Sequence, residues 1–398
     1  MKIGFKHVWW ILALVAVIFC AVVAARLFHP PPGGPELVNQ TRAKLRALGF
    51  KTDLAEFDLS TPADMRVREG ILMAAIPNPS YGFIQAPELM EFDNDSAIVV
   101  WKQSGLNMPG GARVSWDEVR GYLDSNKDGI DAACDAILSG PIGFNLNAAD
   151  GNEIRLTHLQ MLHNLTGTLG WRTMIALHDG DRNTAWTNLL AATRLVTAWK
   201  IEPGEYSYLV RSSEENVVFD LTWQLLQAHG WDDAQLKQLQ DEWESFNALA
   251  NLPELAAFKR AASLVQFQTL QREMITGLRL PPVGEMAREA LQHPSFLWVA
   301  MRVRWRQNEF LHGAIYQDEA DMLNYYCDLE AAWRKATNAS NWLRISAVPG
   351  MTNDIDYELQ RGVLPGMQSR AMSRLYRSPI ETTFVARLAE AQARRGIL

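Results

Sequence analysis

The sequence predicts an all-α protein in which one N-terminal membrane helix precedes an antiparallel helical body, either an α-solenoid or an irregular bundle. Three observations carry this. Residues 8–25 form an unbroken apolar run. From Glu153 onward, apolar residues recur at three- and four-residue steps, the period of one helical face. Neither the even strand rhythm of a β-sandwich nor a βαβ alternation is present.

The first seven residues carry Lys2 and Lys6. Val8 to Ala25 then contains neither a charge nor a breaker, and Leu27 and Phe28 extend it past Arg26. Eighteen helical residues span about 27 Å, close to the thickness of a bilayer's hydrocarbon. Trp9 and Trp10 stand at its start, where indoles favour the membrane interface. Residues 8–28 therefore read as a signal anchor. The competing reading is a cleaved signal peptide with Val23-Ala24-Ala25 as its small-residue site, but the apolar run exceeds the usual h-region. A short basic head before a long exported body favours a cytoplasmic N-terminus and an extracytoplasmic body, which in a bacterium means the periplasm. Residues 29–35 hold three successive prolines, two glycines and Pro35, which make a stiff spacer of about 20 Å at most.

Residues 36–152 read as mixed helical and irregular. Glu36 to Leu48 is a helix closed by Gly49, and residues 50–92 are irregular, interrupted by Pro62, Pro77, Pro79 and Pro87. Asp93, Asn94 and Asp95 read as helix N-caps, so residues 97–101 are expected to be helical despite their β-branched content. Ser115 caps a helix through Tyr122. Residues 153–398 read as a helical array, with helices near 182–199, 205–229, 232–248, 254–279, 284–313 and 316–338. Shorter helices follow near 354–361, 366–376 and 380–395. The joints fall at Pro203-Gly204, Gly230, Pro253 and Pro281-Pro282.

Within this array Gly180 ends one helix, Asp181 follows, and Ala185, Leu189 and Ala192 recur in the next. This resembles the second half of a tetratricopeptide (TPR) repeat, over residues 169–195. Glycine permits the tight turn and alanines let two helices approach. Arg172 departs from the pattern, standing where a leucine is expected. The layout also resembles uncharacterised bacterial proteins with one N-terminal membrane helix and a helical-repeat body carrying Gly-Asp-x4-Ala, here Gly180, Asp181 and Ala185. That resemblance implies a helical-repeat fold and no known activity.

Composition narrows the partners. With 48% hydrophobic and 21% charged residues the chain can bury a core. A net charge of −7 gives no global attraction to nucleic acid or anionic lipid, which sets both aside as main partners. Cys134 and Cys327 could pair as a disulfide in an oxidising compartment, but the burial habit of free cysteine favours two buried thiols, and no CxxC or zinc spacing exists. Tryptophans are frequent, and Trp171, Trp186, Trp199, Trp223, Trp231 and Trp243 fall on helices, where they are expected in the core. The basic C-terminal stretch, from Arg370 to Arg395, reads as a solvated helix face, with contact to an acidic partner or lipid headgroups as the alternative.

Three patterns are candidates for chemistry. Asp124, Asn126 and Asp128 with Gly129 mimic the start of a calcium loop, but position 12 is Asp135 and the stretch also reads as a solvated joint between helices. Glu309 and His312 form one Glu-x-x-His, where a di-iron bundle uses two. His158 and His163 are five residues apart, a step that aligns two ligands poorly, so each is expected to be satisfied or exposed. No P-loop, nucleophile elbow or dinucleotide fingerprint is present, and no cofactor is indicated. The sequence thus favours a non-enzymatic interaction or scaffold module, tethered to a lipid bilayer and serving a protein partner. The alternatives are an envelope enzyme or metal-binding bundle, and a structural subunit of a larger membrane complex.

Overall fold

The computed structural model describes residues 34–75, 86–108, 111–200, 202–247, 249–277, 313 and 315–338. The expected anchor with Trp9 and Trp10, the Glu309–His312 pair, and the helices placed near 284–313 and beyond residue 338 lie outside these residues. Among the described residues, no helix is long and apolar enough to cross a membrane.

The fold is all-α. Its helices are α1 (Gly34–Ala47), α2 (Ala63–Ala75), α3 (Trp116–Ser125), α4 (Lys127–Leu138) and α5 (His158–His178). They continue as α6 (Arg182–Thr197), α7 (Glu205–Leu226), α8 (Asp233–Ser245), α9 (Leu252–Gly277) and α10 (Ile315–Thr337). Two small antiparallel hairpins interrupt them, β1 (Phe92–Asp93) with β2 (Ser96–Ala97), and β3 (Leu106–Asn107) with β4 (Arg113–Val114).

The described residues form two compact units. One contains α1 with the C-terminal part of α9 and the N-terminal part of α10. Its buried pivot is Arg260, which donates from Nε to the Lys51 carbonyl at 2.7 Å and sits over the Phe50 ring. The other contains residues 54–259 and the end of α10.

The second unit is organised by α5, which is buried nearly all round from His158 to Leu177. It packs against both α6 and α7, and α6 packs against α4, α7 and α8. A helix buried on nearly every side belongs in the centre of a large core. Its buried threonines remain compatible with that position because Thr166, Thr168 and Thr173 each donate to the carbonyl four residues back. The α5–α6 turn follows the sequence reading closely. Gly180 has φ +79°, and Asp181 accepts from the Thr184 amide at 3.1 Å. Ala185, Leu189 and Ala192 are fully buried on the face that follows. Arg172 pairs with Asp131 of α4 at 2.6 Å, an outward contact in place of an apolar one.

Two local expectations are corrected. Residues 50–92 contain a helix, α2, hidden in sequence by prolines that flank it without entering it. Asp93 to Asp95 do not cap a helix. Asn94 and Asp95 take φ +47° and +64°, the two left-handed residues of a tight hairpin turn, and only a short 3₁₀ turn follows at Val100–Lys102. The buried Gln224 side chain ties this region to α7, and Trp101 Nε1 adds a hydrogen bond to the Gln224 carbonyl at 3.0 Å. Gln224 donates to the carbonyls of Leu89 (2.6 Å) and Ile98 (3.0 Å) and accepts from the Val100 amide (2.9 Å).

Candidate functional site

The densest buried polar chemistry lies along the seam between α5 and α7. Four positions on α7, Ser207, Arg211, Glu214 and Glu215, are buried at helical spacing and share one face. α5 contributes His158 and His163 to the same seam. The sequence marks the two histidines; their acidic partners lie 44 and 51 residues away and only folding unites them.

His158 meets Glu202, which lies just before α7. The imidazole Nε2 is 2.8 Å from Glu202 Oε1. The same carboxyl accepts from Trp199 Nε1 at 3.2 Å and from Ser207 Oγ at 2.6 Å. The His158 ring stacks on Phe144 with centroids 4.0 Å apart. Glu202 thus has three side-chain donors from three parts of the chain. Serine and histidine both face the carboxyl instead of each other, so this is not the arrangement of a nucleophile and its base. What the cluster does is tie the end of α6, the start of α7 and the start of α5 together.

Arg211 lies one turn further along α7. Its guanidinium donates to the Val196 carbonyl through both Nε and Nη2 and stacks against the Trp199 and Phe246 rings. Burial pulls it down to about 10. Among the described residues Arg211 Nη1 has no hydrogen-bond partner.

His163 and Glu214 form the second pair, with Nδ1 2.7 Å from Oε1. Here the environments differ. Glu214 is buried, whereas the His163 side chain is 36% exposed. The hydrogen bond to Glu214 raises the imidazole above its ordinary range against the opposing effect of burial. Burial raises the Glu214 carboxyl, and His163 pulls it back. A histidine oriented through Nδ1 by a carboxylate can present Nε2 for proton transfer. Among the described residues nothing else hydrogen-bonds this ring.

Residues 124–129 lie at a joint between two helices, while Glu309 and His312 lie outside the described residues. Asp124 and Ser125 finish α3, Asn126 is the joint, and α4 begins at Lys127. The Asn126 side-chain amide donates to the Tyr122 carbonyl at 3.0 Å. Gly129 lies inside α4 against the end of α2, where a Cβ would approach the Ala75 carbonyl more closely than real Cβ atoms do. Among the described residues no group of three or more His, Cys, Asp or Glu side chains is placed to hold a metal ion. Cys134 is buried beside Asn188, and burial pushes its thiol up to about 11. Trp171, Trp199 and Trp243 lie in the core, each under 5% exposed.

Comparison with protein families, curated proteins and solved structures finds no match to this chain.

Proposed function

We propose that this chain is a membrane-tethered helical scaffold that holds a protein partner in the cell envelope. The observation that carries the reading is the way α5, α6 and α7 stack in succession around a glycine turn. Each helix covers its neighbour, as in repeat arrays whose outer faces serve as binding surfaces. The polar groups sealed between them support the same reading, because Glu202 is tied to three internal donors and faces inward. The resemblance to a TPR-like element at residues 169–195 and the apolar run at residues 8–28 supply the repeat and tether parts of the proposal. A structural subunit of a larger membrane complex would use the same surface.

The test is capture from detergent-solubilised native membranes through a C-terminal tag, followed by mass spectrometry. A stoichiometric envelope protein is expected, and it should be lost when exposed Leu226 and Leu236 of α7 and α8 are both changed to Asp. A solitary protein, or one extracted from membranes by alkaline carbonate, counts against the proposal.

A second reading has one observation in its favour, the half-exposed His163 oriented by buried Glu214. It makes the chain an envelope enzyme using His163 as a general base. If it holds, His163→Gln abolishes turnover of an envelope substrate while leaving the captured partner unchanged.

A further inference from the structure

In the unit built from α1, α9 and α10, three helical faces enclose a polar cleft of about 410 Å³. α1 presents Asn39 and Arg42, α9 presents Gln268, Gln271 and Arg272, and α10 presents Glu319. The spacings, three residues on α1 and three and four on α9, put each group on one face of its helix. The wall is therefore rich in planar N–H donors, two guanidiniums and three carboxamides, set against one carboxyl.

Arg42 is the informative residue. Among the described residues it donates no hydrogen bond, and its one ion pair, to Asp53, is loose at 3.6 Å. Arg46 shares that same carboxylate at 3.8 Å. A guanidinium that lines a cleft with its fork only loosely paired is matched by an anion able to present two oxygens to that fork, as a phosphate does. Glu319 is 2% exposed and accepts from Gln268 Nε2 at 3.2 Å, so its lone pairs are partly occupied from within the wall.

We propose that this cleft binds a phosphate group, held by Arg42 and the carboxamides of Asn39 and Gln271, with Arg272 adding positive charge at the rim. The phosphate has two possible carriers, a phospholipid headgroup or a small soluble phosphate ester. Position favours the headgroup. Pro35 lines the cleft and stands seven residues beyond Phe28, the end of the expected anchor. That choice of carrier, though not the phosphate site itself, rests on the tether reading. Of the described residues lining the cleft, Glu319 carries the carboxyl that opposes an anion, and Asp53, on Arg42 at 3.6 Å, competes with that anion for the guanidinium. Burial pushes the Glu319 carboxyl up while Arg42 pulls it back, so its removal should favour the ligand.

The experiment uses the full chain in maltoside micelles, which carry no phosphate, and titrates it calorimetrically with inorganic phosphate and with short-chain phosphatidylglycerol; a parallel reconstitution into a nanodisc checks the tether. Arg42→Gln should weaken binding by about tenfold, the loss expected for one charge-assisted contact. Glu319→Gln should tighten it, which a merely structural Glu319 would not do. The two probes should compete for the one cleft. Phosphatidylglycerol binding more tightly than inorganic phosphate supports the headgroup as carrier, and inorganic phosphate binding as tightly or more tightly supports the soluble carrier. Phosphatidylglycerol binding that inorganic phosphate cannot displace overturns the cleft as its site. The proposal is overturned if neither probe binds, if Arg42→Gln binds as well as the parent, or if Glu319→Gln weakens binding with its circular dichroism intact. Failure of the chain to stay in the nanodisc would sink the tether reading alone, because phosphate titration in detergent still reads the cleft.

Discussion

Gln224→Leu tests how much of the second unit hangs on one side chain. Gln224 is fully buried and satisfies three backbone groups, the carbonyls of Leu89 and Ile98 and the amide of Val100. Leucine has similar bulk and none of the polar atoms. Each buried backbone group left without a partner costs about 1–3 kcal/mol. Three such groups, partly relieved by local opening, give a loss of about 3–5 kcal/mol, in the tail of single-substitution effects. For a unit of this size that lowers Tm by roughly 2–4 °C per kcal/mol, so on the order of 10 °C. Urea unfolding followed by circular dichroism measures the loss, and hydrogen exchange at the Val100 amide locates it. Gln224→Glu sharpens the argument. A carboxylate would direct oxygen at two carbonyl oxygens, so its folded-state proton affinity must rise above the ordinary glutamate value. Stability then improves as pH falls, because the protonated acid recovers one donor, and it declines as pH rises through the raised value. The leucine variant has no such pH dependence at this position. A Leu variant within about 0.5 kcal/mol of the parent, the range of an ordinary surface change, would refute the clamp.

Three further outcomes follow from the same geometry. His163 holds its proton more tightly when folded, so its contribution is complete below about pH 6.5 and fades as pH rises through the higher folded value. Glu214, raised by burial, has the same sign in its own range, and His163→Gln should therefore cost most Tm near pH 6, with the gap narrowing by pH 9. A pH-independent gap would show that the pair does not act through charge. Gly129→Ala should destabilise by about 1–3 kcal/mol despite alanine's better helix propensity, since its Cβ meets the Ala75 carbonyl, whereas Gly121→Ala in α3, whose Cβ meets nothing within 4 Å, should be neutral or stabilising. Equal effects in urea unfolding would undo the packing explanation, and a calcium-dependent shift in Gly129→Ala would revive the loop. Finally, Cys134 should resist alkylation at pH 8 until the chain unfolds, as read by mass spectrometry of labelled peptides, because its thiol is buried and shifted up to about 11.

What the sequence exposes here is local and periodic. Ser115 and Glu118 form both halves of a capping box, and Asp181 and Asp232 cap as their spacing suggests. The apolar steps at Leu159, Leu162, Leu165 and Leu169 become buried positions of α5. Errors arise where one residue type serves two local structures. Asn94 and Asp95 suit a helix N-cap or a left-handed turn equally well, and the pairing of Phe92 with Ala97 decides between them. The seam is illegible for another reason. Ser207, Arg211, Glu214 and Glu215 resemble an exposed helix face, and a polar residue carries no local mark of the partner that allows its burial. One signal was available: α7 has polar residues around its circumference, which in a long helix demands either water on all sides or internal partners.

The cost of these buried polar groups raises the question of what they achieve, since apolar residues would fill the seam with less desolvation. α5 supplies the answer. A helix buried nearly all round is placed only weakly by burial alone, for many rotations offer similar apolar contact. The two histidines remove that freedom. His158 must meet Glu202 before α7, while His163 must meet Glu214 within it. Sliding α5 by one turn, about 5.4 Å, would separate both pairs at once and leave charged groups buried without partners. The register that keeps both pairs also brings Ala185 and Leu189 of α6 into full burial beside the Gly180 turn. On this argument the seam's polar chemistry specifies which helical faces point outward. That supports a scaffold, whose binding surface depends on helix orientation, and leaves His163, the one half-exposed member, as the place where chemistry beyond register has to be sought.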